Sequence, residues 1–332
     1  MRRRRHRRSV ALLATALAAA MALAVAAGAA GGPIAASGAP VTVVATGVQT
    51  TTAFAFGDAT MFAGEGPAEP TGSPGGGLFV VAGGIGRRLA DSPKYVYGLA
   101  WHAGKLYVST GPKILVLSGW NGTAFAASRT IYAGAAQFNG FSGIAFGPDG
   151  RLYAGLLAKE PVYDHAKDPY PLSQAVVSMS PSGKDLRFVA RGLRQPFQMV
   201  FPAGSRWPYV SDLGQDEGTI PPDEIVVAKP GENYGFPTCT WLTLSVCTHF
   251  TKPLILLPAH ASPMGIGSSG HTLYVALYTG LGSGSEVVTI PTAGGSPTPF
   301  LTGFSGSIIA LAVHNGKLYV GAQDGTIYAV AL

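Results

Sequence analysis

One phrase of strand, tight turn and strand returns six times along this chain, and it limits the fold more than any other feature. The clearest copy is Gly143-Ile-Ala-Phe-Gly-Pro-Asp-Gly-Arg-Leu-Tyr153, a short apolar run, an Asp-Gly turn and a second run ending on an aromatic residue. The closing aromatics are Phe62, Tyr107, Tyr153, Tyr209, Tyr274 and Tyr319, at intervals of 45, 46, 56, 65 and 45 residues. A period of roughly 45 residues is the length of one four-stranded blade. Each phrase has the chemistry of a hairpin. Further strand-like runs between the phrases, such as Ala175–Met179 and Leu186–Ala190, complete four antiparallel strands per unit. A single sheet of this size cannot bury both faces, whereas six arranged radially cover one another and leave few edges. The expected fold is therefore all-β, a six-bladed β-propeller. Val41–Ala45 precedes the first inner strand without a blade of its own, and the last blade stops one strand short after Gly325–Val330. The N-terminal strand is expected to close the ring in the last blade.

The first residues belong to a different kind of segment. Six of the 23 Lys and Arg residues fall within the first eight positions, and an uncharged Ala-rich run from Val10 to Ala27 follows. That is the pattern of a secretory leader, with small residues suited to cleavage between Ala26 and Ala39. The competing reading is a retained membrane anchor. The expected organisation is a signal peptide and short linker over 1–39 and the propeller over 40–332. Without the leader the chain carries 17 basic and 17 acidic side chains, so its basic excess is a targeting device. Nucleic acid is excluded as a partner on that ground. Charged residues make up 12%, against 46 Gly and 25 Pro, which suits compact β structure with many turns. A monomer is the default state.

Cys239 and Cys247 are the only cysteines. Eight positions apart in a chain read as exported, they are expected to form a local disulfide. Two intervals exceed one blade, and surplus residues in a rigid scaffold become loops that build sites. These insertions, Lys159 to Ser173 and Ser211 to about Thr251, are expected to flank one mouth of the central channel.

Within and beside the second insertion stand Gly192-Leu-Arg-Gln-Pro-Phe197, Ser211-Asp-Leu-Gly-Gln215, Pro222-Asp-Glu-Ile225 and Gly231-Glu-Asn-Tyr-Gly-Phe-Pro237. In order and spacing this resembles the soluble glucose/sorbosone dehydrogenases, β-propellers whose enzymatic members bind pyrroloquinoline quinone (PQQ) and calcium and oxidise aldose sugars. The resemblance implies that Arg194 stands beside the quinone oxygen that gains charge, an electrostatic role suited to a fixed cation. It places Arg194, Gln195, Gly214 and Gln215 around the cofactor, with carbonyls of Gly214 and Gln215 facing its calcium. Asp223, Glu224 and Tyr234 match a nearby structural calcium site, where a hard cation takes several oxygens.

The chain departs from the family pattern at three polar positions. Asn139 stands where active members carry the histidine that accepts the sugar hydroxyl proton, Leu157 where an acid is expected, and Tyr278 where a lysine is expected. His165, flanked by Asp164 and Asp168, is the candidate replacement base, and His260 is a second. Three functions follow as expectations. The first is an exported, PQQ- and calcium-dependent sugar dehydrogenase-like protein with Arg194 and His165 as catalytic residues. The second is a non-catalytic propeller that binds a carbohydrate or a cell-envelope partner. The third is a calcium-dependent lactonase holding one ion with Glu65, Asn139 and Asp212.

Overall fold

A computed structural model describes residues 31–67, 76–134, 140–157, 172–215, 221–282 and 284–332. These form six antiparallel sheets arranged as blades, with one short 3-10 turn, Leu244–Cys247, among the described residues. The inner strands are Thr51–Gly57, Gly98–His102, Gly140–Phe146, Pro196–Val200, Pro263–Ser269 and Ile308–His314 in blades one to six. Each lies beside the next and the sixth lies beside the first, so they enclose a channel. The hairpin turns follow from local chemistry. Asp58 and Ala59 at φ 47° and 60°, and Asn315 and Gly316 at 48° and 69°, take the positive angles that two-residue turns need to match strand twist.

Thr42–Ala45 pairs antiparallel with Ile327–Ala331 and completes blade six, as the sequence implies. The propeller begins earlier than residue 40, however. Ile34 and Ala35 pair with Thr302 and Leu301 on the outer strand of blade five, and Ala36 N donates to the Phe300 carbonyl at 2.9 Å. An open strand edge and a core position for Ala35, which is 4% exposed, give this short segment its place.

The recurring aromatics do more than mark register, because four of them meet a ring of the next blade. Phe62 stacks on Trp101 of blade two with centroids 5.6 Å apart, and Tyr107 meets Phe146 of blade three edge-on at 4.8 Å. Tyr153 meets Phe201 beside the inner strand of blade four at 5.0 Å, and Tyr319 meets Phe56 of blade one at 4.9 Å. Such ring pairs contribute about 0.5–1.5 kcal/mol beyond the area they bury. Nearer the channel, hydroxyls lace the same seams. Thr52 Oγ1 donates to the Val96 carbonyl at 2.5 Å, Ser109 to that of Ser142 at 2.5 Å, Ser142 to that of Pro196, and Ser211 to that of Met264 at 2.6 Å. One amide crosses the channel itself: Gln198 of blade four donates through Nε2 to the carbonyls of Thr52 at 3.1 Å and Tyr97 at 2.8 Å.

The insertions are placed differently from one another. Residues 158–171 lie outside the described residues, and with them His165, Asp164 and Asp168. The second insertion divides. Its first part joins Asp212 to Asp223 at the mouth, where inner strands begin and second strands end. Its second part, 228–254, leaves the other end of the strand Asp223–Val227 and runs along the outside of blade three, where Glu232–Asn233 pairs parallel with Arg187–Arg191. It therefore does not flank the mouth along its whole length. Cys239 and Cys247 are bonded, with Cα atoms 5.1 Å apart. Among the described residues no helix is long and apolar enough to cross a membrane.

Candidate functional site

The mouth is built around the entry to blade four. Asp212 ends the second strand of that blade and is 4% exposed. Its Oδ2 accepts from the backbone N–H of Arg194 at 3.0 Å and its Oδ1 from that of Gln195 at 2.7 Å, so one carboxylate fixes the turn into the inner strand. Arg194 is 1% exposed, and its Nη1 donates to the carbonyls of Leu213, at 3.5 Å, and Gly214. The guanidinium thus closes the loop from inside. Gln195 and Gln215 are half-buried beside it.

Asp223 and Glu224 are neighbours on one strand, so their side chains leave opposite faces. Asp223 accepts from Gly214 N at 2.6 Å and from Ser262 N at 2.7 Å, joining the loops of blades four and five. Glu224 lies directly across from Asp212 in the ladder, on the same face. Burial pushes Asp212 up to about 7, against the pull of its two amides and Arg194. Burial first, and then the charges of Asp212 and Asp223, push Glu224 well above the usual carboxylate range. No described residue donates a hydrogen bond to the Glu224 carboxyl. Tyr234 is 2% exposed, and its hydroxyl donates to the Val227 carbonyl at 2.6 Å and to Glu232 at 2.8 Å. Its own carbonyl accepts from Trp241 Nε1 at 3.1 Å. Burial raises the Tyr234 phenol, which stays protonated.

Arg194, Gly214 and Asp223 are thus brought together in one hydrogen-bonded unit, with Asp212, named above only as an ion ligand of the lactonase reading, as the residue that holds the turn. Its signal lay in the sequence as the acid closing the strand Tyr209–Asp212. Among the described residues no three His, Cys, Asp or Glu side chains gather as a metal cluster. Glu65 accepts from Gly76 N at 2.7 Å within its own blade and Asp212 serves blade four, while Asn139 lies outside the described residues. His260 lies exposed at the rim with φ 60°, its carbonyl accepting from Thr279 Oγ1.

Toward the channel the mouth is apolar. Phe197, Leu213 and Ile309 form a buried cluster with Met264 and Tyr278 packed on it. The Tyr278 hydroxyl donates to Gln323 Oε1 at 3.1 Å, a polar pair beside that floor. Leu157, half-buried, ends the second strand of blade three opposite Gly140.

Two tests of cofactor fit follow from these contacts. The quinone fits poorly: the Gly214 carbonyl that would face its calcium accepts from Arg194, and Leu157 and Tyr278 offer neither of the charges expected there. A structural calcium fits better, because Glu224 and Asp212 are close-set acids of which one has no donor. An ion there would draw its remaining ligands from backbone carbonyls or water.

No family model matches the chain, and no curated protein matches it. Solved structures do. It is similar to the PQQ-bound aldose sugar dehydrogenase of Streptomyces coelicolor, with TM-score 0.69 and 19% identity over 90% of this chain and 99% of that one. A glucose dehydrogenase-type putative oxidoreductase of Thermus thermophilus gives TM-score 0.70 and 22% identity over 88% and 100%. A gluconolactonase from Xanthomonas campestris gives 0.57 and 15% over 90% and 91%. At these identities the likeness is one of fold, and the fold is that of the sugar-dehydrogenase propellers.

Proposed function

We propose that this is an exported propeller of the sugar-dehydrogenase architecture whose channel mouth binds a carbohydrate-type small molecule and whose described residues have given up the quinone site. The observation that carries the reading is the state of Arg194. A guanidinium 1% exposed and donating to two loop carbonyls acts as an internal brace, not as a group offered to a cofactor. The floor of Phe197, Leu213, Met264 and Ile309, with Tyr278 and Gln323 beside it, suits the C–H face and the hydroxyls of a sugar. In this reading Asp223 is a loop tie, and Glu224, with Asp212 and backbone carbonyls or water, holds a calcium ion. That ion, when bound, neutralises buried carboxylates and stiffens the mouth. Export rests on the leader pattern and agrees with the disulfide.

A second reading keeps the dehydrogenase, with Arg194 and Gln195 at the cofactor and His165 or His260 as base. The likeness to a PQQ-bound aldose sugar dehydrogenase over nearly the whole chain favours it. One experiment separates the two. The mature protein is titrated with PQQ and calcium, the cofactor's absorbance is followed, and aldoses are added with an artificial electron acceptor. The binding-protein reading expects no saturable quinone binding, together with sugar binding that Tyr278→Ala weakens. Calcium-dependent quinone binding with sugar-driven reduction would overturn it and make His165→Ala and His260→Ala the next variants.

A further inference from the structure

The channel has a second opening, at the end away from the mouth. Gln198 bridges the channel and lines the top of a cavity of about 360 Å3 walled by all six inner strands. Beside this cavity a groove of about 730 Å3 lies between blades six and one, and the two share Phe56, Trp101 and His314. Their sizes fall in the range of about 300–1,000 Å3 typical of small-molecule sites.

The walls are unequal, although the blades repeat. Blades six, one, two and three supply His314, Phe56, Trp101 and Phe146, whereas blades four and five supply Val200, Gly267 and Ser268. The Phe56 and His314 rings are stacked face to face, 4.2 Å apart at 6°, forming a two-ring step in that wall. Burial lowers the His314 pKa, so the imidazole is neutral at pH 7. On the rim stand Asp58 and Asn315, exposed at turn positions with φ 47° and 48°. Neither side chain is engaged by another described residue. No Lys or Arg lines either space, and Asp58 is the single acid, so an anion finds no partner and a cation only one at the edge. A wholly apolar ligand would bury the Asp58 and Asn315 groups without replacing their water. What remains is an uncharged ring with one apolar face and hydrogen-bonding edges.

We propose that this opening is a second binding site, taking a neutral sugar ring whose C–H face rests on the aromatic wall while its hydroxyls reach Asp58 and Asn315. The site is separate from the mouth because the Gln198 bridge lies between them. It is tested on the intact protein by NMR titration with the methyl glycosides of glucose, galactose and mannose. The readout is the His314 imidazole resonance, assigned by its loss in His314→Gln. The expected result is a saturable shift with at least one glycoside at millimolar affinity. Asp58→Ala and Asn315→Ala should each weaken it about fivefold, the loss of one hydrogen bond, and Tyr278→Phe at the mouth should leave it unchanged. A His314 resonance unmoved by all three glycosides overturns the proposal. So does equal affinity in the Asp58→Ala/Asn315→Ala double variant, or a shift abolished by Tyr278→Phe.

Discussion

Replacing Arg194 with methionine keeps the volume of the side chain and removes its charge and donors. Two carbonyls, those of Leu213 and Gly214, lose a donor, and Asp212 loses a neighbouring cation while remaining 4% exposed. Leaving two buried carbonyls without their charged donor costs about 1–3 kcal/mol each. For a domain of this size, that lowers the melting temperature by about 10 °C. The cost also has a pH signature. Asp212 is raised from 3.8 to about 7 in the folded protein, so the native state holds a proton that the unfolded chain has released between those values. Its contribution is therefore fully present below about 3.8 and is lost as pH rises through about 7. Without Arg194 the carboxylate is harder still to ionise, so the penalty of Arg194→Met should be larger at pH 8 than at pH 5.5. Urea unfolding at both pH values, with the slope checked for constancy, measures it. A variant within about 1 kcal/mol of the parent at pH 8 would refute the internal brace and return Arg194 to the mouth as a ligand group.

Three further expectations can be measured on the same protein. Calcium should raise the melting temperature above its value in chelator, and Glu224→Gln should abolish that increment while stabilising the calcium-free form at neutral pH, because the carboxyl it removes has a raised pKa. Reducing Cys239–Cys247 should cost about 2–3 kcal/mol from a loop of this length, with hydrogen exchange quickening in residues 236–251 before the blades respond. Gln198→Leu leaves the Thr52 and Tyr97 carbonyls without their donor and should cost about 1–3 kcal/mol by urea unfolding.

The blades were legible because a hairpin is a local object: a positive-φ turn such as Asn315-Gly316 and the strands beside it lie within one short phrase. Closure by Thr42–Ala45 and the Cys239–Cys247 bond were legible for a similar reason, each being the one partner left over. What joins blade to blade was not. Ser109, Ser142 and Ser211 read as ordinary strand residues until the next blade places a carbonyl in front of each hydroxyl. Gln198 gives no hint in its own blade that it spans the channel. The family motif led to Arg194, but whether a guanidinium faces a ligand or its own loop depends on the path of Leu213 and Gly214, and that path depends on Asp212 and Asp223 holding the turns. The long insertion misled because length alone cannot say at which end of a strand the surplus residues leave it.

The pairing of Thr42 with Ala329 also sets a timetable. The Thr42 hydroxyl donates to the Ala329 carbonyl across 287 residues, so the strand that seals the ring meets a partner made almost last. Until then blade six lacks an edge, and the early blades stand as an open arc with bare flanks. Contacts this distant in sequence are slow to form and leave the growing chain exposed to mispairing. The same arrangement makes cyclic permutation informative: joining residue 332 to residue 41 and opening the chain between two other blades would move the seal without changing any blade.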